Sequence, residues 1–167
     1  MVDDDFRLNQ PFVGIATFLR SPICQNIDTL DTGIAVMGVP TDEGSPFMAG
    51  SRMGPRALRE HSLRFGQGGK GYYDPEHRRQ FLEAEMSQGL IMDLGDVDIW
   101  PADIKQTFEN ATKMTRKARA GCDLLVVMGG DHAITYPVVR AIEEDIYVIH
   151  FDAHADYEPF IHDLQFT

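Results

Sequence analysis

Two short segments carry residue types able to bind a metal: Gly129-Gly130-Asp131-His132 and Asp152-Ala153-His154-Ala155-Asp156. Each follows an apolar run without alternation, 124–128 and 146–151, of the kind shown by a parallel strand buried on both faces. In extended backbone, side chains at i, i+2 and i+4 project from one face. Asp152, His154 and Asp156 therefore converge if the strand geometry persists that far, and His132 joins them if its strand lies alongside. Two imidazoles and two carboxylates make a mixed nitrogen and oxygen set suited to Mn, Zn, Co, Ni or Fe, not to thiolate-seeking ions. A lone His or Asp at a strand end is commonly a solvated cap. Three alternating ligand types, following another His after a double Gly, outweigh that reading.

The rest of the chain supplies elements that would present these residues. A first strand is expected over 33–39, then a Gly/Ser/Pro-rich loop over 41–53 at its carboxyl end, where loops tend to carry function. Gly54-Pro55 opens a helix, with Pro near the first turn where its missing N–H costs nothing. Residues 66–74 read as loop and 75–86 as a polar helix, with Glu76, His77, Arg78 and Arg79 on a solvated surface. A second strand over 90–94 is closed by Gly95-Asp96-Val97-Asp98, and the acids of the pattern Asp93-x-Gly95-Asp96-Val97 are expected to make structural hydrogen bonds. The helix over 101–120 is bounded by Pro and Gly121 and carries a stripe of Ile104, Phe108, Ala111, Met114 and Ala118. A helix over 132–143 follows the third strand, with Tyr136-Pro137 forcing a kink or a late start. Alternating strands and helices predict an α/β fold: an open parallel sheet with helices on both faces, forming three layers. Such sheets bind ligands at the carboxyl ends of their strands. His150 shares parity with Asp152 but lies one pleat deeper, and is expected as a hydrogen-bonded core residue. His162 is assigned to a surface loop, and His61 and His77 to ordinary helix positions.

Length and composition bound the alternatives. The 167 residues suffice for one domain with a real core, here an N-terminal extension over 1–30 and a parallel α/β core over 31–167. Apolar content of 43% with 25% charged residues is that of a globular chain, and no run reaches the roughly 18 apolar residues of a membrane span. A net charge of −11 argues against nucleic acid and anionic membranes as partners, while an acidic field can steer a small cation toward a cleft. Two cysteines, Cys24 and Cys122, make no disulfide framework and are expected as small core hydrophobes. With Asp3-Asp4-Asp5 where a secretory leader would be basic and then apolar, the expected location is the cytoplasm.

Gly-Gly-Asp-His followed by Asp-Ala-His-x-Asp resembles the first two metal motifs of the ureohydrolases: arginase, agmatinase, guanidinobutyrase and formiminoglutamase. Ala133 stands where that family commonly has Ser. The 11–20 segment resembles the N-terminal stretch of the agmatinase branch, with packing against the sheet or between subunits as its implied job. The stretch from Gly38 to Arg56 resembles a family signature of spaced Gly, Arg and Gly-Pro, with Met48-Ala49-Gly50 where Arg-Pro-Gly is frequent. The resemblance implies a sheet of arginase type, incomplete at its C-terminus because a later Ser-x-Asp-x-Asp motif is missing. It also implies two divalent ions, most commonly Mn2+, with Ni2+, Zn2+ or Co2+ as alternatives. Carried over residue by residue, His132 and Asp156 would hold one ion, His154 the other, and Asp152 would bridge them, with Asp131 orienting a ligand or a backbone turn. The implied reaction is hydrolysis of a small cationic guanidino compound, agmatine or a relative, to urea and an amine through a bridging hydroxide. Trimers or hexamers are the implied assembly.

Three other readings stay open. The alternatives to an agmatine-like hydrolase are a guanidinobutyrate or guanidine hydrolase of that family, or a catalytically incomplete piece with a structural or oligomerisation role. A single-zinc deacetylase of related fold fits the Asp-Ala-His-Ala-Asp spacing less well.

Overall fold

The computed structural model describes residues 14–45, 47–66 and 70–154, with the backbone of 160–161 and 164–165. The chain enters through a 3-10 turn at Phe18–Arg20 and reaches β1, Thr32–Val39, whose Ala35, Val36, Met37 and Val39 are fully buried. Helix α1, Gly54–Ser62, follows the 41–53 loop. A hairpin of β2, Tyr72–Asp74, and β3, Arg79–Phe81, leads to the short α2, Glu83–Ser87, and then to β4, Ile91–Asp96. Helix α3, Ile104–Ala120, feeds β5, Cys122–Gly129; a 3-10 turn at His132–Ile134 runs into α4, Thr135–Val139. A two-residue pairing of β6, Phe160–Ile161, with β7, Leu164–Gln165, lies last.

The main sheet has the order β4-β1-β5 with both neighbours parallel to β1. Because β1 is central, its side chains divide the core. Val36 packs with Leu19, Ile91 and Met128 on one face. Met37 and Val39 pack with Val97 and Ala111 on the other, beneath α3 and α4. Helices and turns thus cover the sheet from both sides, giving the three-layer α/β arrangement expected. The strand order reverses between β1 and β5, so the crevice that such sheets use for ligands opens at the carboxyl ends of these two strands.

Helix α3 forms where expected, although it starts at Ile104. Asp103 caps it, accepting from the backbone N–H of Gln106 at 3.0 Å. Its buried face holds Phe108, Ala111 and Ala118 but also Thr107, Thr112 and Thr115. These threonines read as polar in sequence. Burial is permitted because the Thr112 and Thr115 hydroxyls donate to the carbonyls of Phe108 and Ala111 one turn earlier.

Several expectations are corrected. The polar 75–86 helix is instead the β2–β3 turn, β3 and the start of α2. Asp74 accepts from the backbone N–H of Glu76, and Arg78 takes a left-handed φ of 50°, so a turn replaces the first helical turn. Residues 72–74, read as loop, are a strand for the same reason, and His77 lies in the turn beside the Asp74 carboxylate, not in a helix. The 132–143 helix is shortened to α4 and its preceding 3-10 turn, with Pro137 inside its first turn. The largest correction is the 146–151 run. Among the described residues it pairs with no strand, and Tyr147, Ile149 and Phe151 are almost wholly exposed. Ion pairs of Arg116 and Arg119 with Glu143 and Glu144 hold its start at the far end of α3. The run then brings His150 to His132 after β5 without joining the β4-β1-β5 ladder. β-propensity alone does not make a strand where no backbone partner or covering layer is supplied. Strand β5 is likewise less buried than its sequence predicts: Leu125 and Val127 pack toward α3, but Leu124 and Val126 face solvent.

Candidate metal centre at the carboxyl ends of β1 and β5

The turn after β5 is built from residues that must approach the end of β1 closely. A Cβ on Gly130 would collide with the carbonyl oxygens of Thr41 and Val39, so only Gly fits. The Asp131 N–H donates to Thr41 O at 3.0 Å. The Asp131 carboxylate accepts from the N–H of Gly44 at 2.8 Å and of Ala133 at 3.1 Å, clamping the 41–45 loop to the start of the His132 turn. Burial pushes the Asp131 carboxyl up from its ordinary value; the two N–H groups oppose this, and Asp42 and Glu43 nearby add to it. Asp131 thus has the turn-orienting role expected of it.

A second carboxylate anchors the other side of that loop. Asp42 is buried and accepts from Arg52 Nε at 2.5 Å and from the N–H of Gly50 at 2.6 Å. The Arg52 hydrogen bond is the largest cause of a carboxyl pKa held down to about 2. The loop is therefore fastened at Gly44 and again at Gly50–Arg52, with Phe47 and Met48 exposed between the two anchors.

His132, at the tip of β5, faces Asp152: Nδ1 lies 3.0 Å from Oδ2. His150 reaches the same oxygen with Nε2 at 3.6 Å, and the two imidazole rings lie 4.9 Å apart. The Asp152 carboxyl is held below its ordinary value, first by the N–H of His154 and then by the neighbouring His132 and His150. Its other oxygen, Oδ1, accepts that His154 N–H at 2.8 Å. This contact bends the chain at residues 153–154, so the extended geometry that would align Asp152 with His154 ends at Asp152. The His154 imidazole is 83% exposed, with Nδ1 3.5 Å from Oδ1. Of the four residues expected as metal ligands, His132 and Asp152 come together, His154 sits beside the opposite carboxylate oxygen, and Asp156 lies outside the described residues, as does His162. His150 is the residue that sequence reasoning misplaced. Expected in a buried strand, it is part-exposed and turned toward the site, because the 146–151 run is not buried. Its parity with Asp152 was the signal that could have identified it.

The donor chemistry fits a divalent ion of intermediate softness: two ring nitrogens and a carboxylate oxygen converge without a thiolate. Both cysteines are free, half-buried and packed on the Leu30–Ala35–Ala118 cluster, as small hydrophobes do. Two acids of β4 are structural. Asp93 accepts from Arg59 Nε and Nη2 at 2.8 and 2.9 Å, and Asp96 accepts from Arg59 Nη1 at 2.6 Å. Burial pushes the Asp93 carboxyl up, but Arg59 and the N–H groups of Phe18 and Gly95 outweigh it and leave the value lowered. Through Phe18 the N-terminal segment packs on the sheet, as its resemblance implied, and Leu19 is buried there. No helix among the described residues is long and apolar enough to cross a membrane.

Comparison with known proteins gives one consistent result. Residues 32–163 match the model of the arginase family. The chain is 32% identical over 147 residues to guanidinopropionase of Pseudomonas aeruginosa, covering 87% of this chain and 43% of that protein. It is 29% identical over 147 residues to mitochondrial agmatinase of Gallus gallus, covering 86% and 40%. The solved structure of proclavaminate amidinohydrolase from Streptomyces clavuligerus superposes with a TM-score of 0.74 at 25% identity, covering 94% of this chain and 50% of that one. The chain spans less than half the length of these curated relatives.

Proposed function

Because the chain belongs to the arginase family, we propose that it carries the first part of a metal-dependent site that hydrolyses a C–N bond of a guanidino compound. The reaction consumes one water and yields urea and the amine of the substrate's tail. The observation that carries this reading is the convergence of His132 Nδ1 and Asp152 Oδ2, 3.0 Å apart, at the switch point of a parallel sheet. His132, Asp152, His154 and Asp156 would hold two divalent ions, manganese by family resemblance. When bound, such ions supply a water acidic enough to act as nucleophile near neutral pH.

The chain's own residues do the rest. Asp152 presents one oxygen to the imidazoles while the His154 N–H fixes the other. Asp131 holds the 41–45 loop against the His132 turn, so the loop that would border a substrate is positioned by the residue preceding a ligand. A cationic guanidinium suits this acidic surrounding, with Glu43, Asp131 and Asp152 at the same end of the sheet, and an agmatine-like substrate is the favoured class. Guanidinobutyrate and guanidine are the competitors.

Exposed Leu124 and Val126 on β5 favour a second reading, in which the 167-residue chain alone is catalytically incomplete. The deciding experiment incubates the purified chain with Mn2+ and agmatine, guanidinobutyrate, arginine or guanidine and measures urea. Urea from at least one substrate, abolished by Asp152→Ala, supports hydrolysis by this chain. No urea from any of them overturns it in favour of the incomplete reading.

A further inference from the structure

We propose that the cavity between α3, β4 and the 24–27 segment binds a small amphipathic monoanion, a carboxylate on an apolar body, with Lys113 as the cation that receives its head. Strand β4 flanks β1 on the side opposite β5, and no residue lining the cavity belongs to the metal centre. The cavity holds about 320 Å3, within the range of pockets that enclose small ligands. Its wall is apolar: Ile27 from the N-terminal segment, Leu94 on β4, Val97 just after it and Met114 on α3. Burying a hydrocarbon chain there removes apolar surface of both ligand and wall from water.

The charged groups of the rim are strung along α3. At one end Asn110 Nδ2 donates to the Asp98 carbonyl at 2.9 Å, which brings Asp98 to the opening. At the other end Lys117 Nζ pairs with Asp28 at 2.5 Å. Lys113 lies between them and forms no ion pair among the described residues. Lys113 and Lys117 are four residues apart on the helix, so their ammonium groups share one face and repel. Asp28 relieves that repulsion at Lys117 alone. A carboxylate beside Lys113 supplies the missing countercharge through a charge-assisted hydrogen bond. The Asp98 carboxylate disfavours a second negative charge on the same ligand, which selects monoanions over diacids of equal length. Because the chain as a whole carries −11, its general field opposes anion binding, and any preference for an anion here is local.

Octanoate, its diacid suberate and octylamine, titrated separately into the purified 167-residue chain, test this by calorimetry and by alkylation with iodoacetamide. Cys24 lines the cavity and Cys122 does not, and both are free thiols. Octanoate is expected to bind at one equivalent and to slow alkylation of Cys24 while leaving that of Cys122 unchanged. Suberate and octylamine should bind more weakly. Lys113→Glu should weaken octanoate by about fivefold or more and reverse the order of octanoate and octylamine. Lys105→Glu makes the same charge change on α3 outside the cavity, and should leave octanoate within about twofold because solvent screens it. Both lysines are exposed, so both variants should keep the wild-type far-UV circular dichroism. The inference is overturned if wild type does not bind octanoate, or if suberate or octylamine binds as tightly. Equal protection of both cysteines, or equal weakening by Lys105→Glu and Lys113→Glu, overturns it too. None of these readouts involves urea release, so the result stands whether or not the chain hydrolyses a guanidino compound.

Discussion

At the residue scale, most of the charge that matters is tied to backbone N–H groups near the carboxyl end of β1. Asp42 is the extreme case, buried under the 41–53 loop with its carboxyl held down to about 2 by Arg52. An unfolded Asp titrates near 3.9, so the native state holds this proton less tightly than the unfolded chain. The resulting stabilisation is present above about pH 4 and is lost as pH falls toward 2. Asp42→Asn should therefore be less stable than wild type at pH 7, and the gap should narrow between about pH 4 and pH 2. Urea unfolding midpoints measured across that range would show it, and a gap independent of pH would contradict the assignment. The sequence marks the 41–53 loop as functional ground, but nothing local tells that Asp42 closes on Arg52 ten residues later. For Asp131 the sequence left two roles, orienting a ligand or a backbone turn, and its hydrogen bonds from the N–H groups of Gly44 and Ala133 give it the second.

At the element scale, α1 is locked to β4 by one side chain. Arg59 satisfies Asp93, Asp96 and the Gly95 carbonyl together, and Asp93 in turn holds Phe18. Arg59→Ala would leave the Asp93 carboxylate buried without its cation, at a cost of about 3 kcal/mol. Arg56→Ala, one turn earlier in an exposed pair with Glu60, should cost far less. Chemical denaturation of both variants checks the contrast, and equal losses would mean that Arg59 is not the lock. The acids of this network were recognisable in sequence as structural. Their partner was not, because it lies 34 residues from Asp93. Helix α3 was legible because its stripe and caps are local. The 75–86 segment was misread because one Asp74 turn outweighs a helix-like composition.

At the scale of the whole molecule, burial is uneven. Phe108 is buried, with its ring 6.0 Å from that of Tyr136 on α4, whereas Ile149 is 79% exposed. Phe108→Ala should cost about 3 to 5 kcal/mol, and Ile149→Asp less than about 0.5 kcal/mol. Equilibrium unfolding of the 167-residue chain would test both, and a large loss from Ile149→Asp would mean that the 146–151 run is covered in solution. The exposed apolar run and the half-open β5 accompany a chain that spans less than half of its relatives' length.

The sequence by itself determined the α/β class, the parallel strands, α3, and the strand tip at which His132 and Asp152 meet. Each of these follows from local periodicity or from ligand-type residues placed after an apolar run. Only the tertiary structure decided that 146–151 stays outside the sheet, that Arg59 ties α1 to β4, and that His150 faces Asp152 Oδ2 while His154 sits beside Oδ1. Those outcomes depend on which backbone or charge is available across the fold, and a one-dimensional pattern does not encode what stands opposite a residue in space.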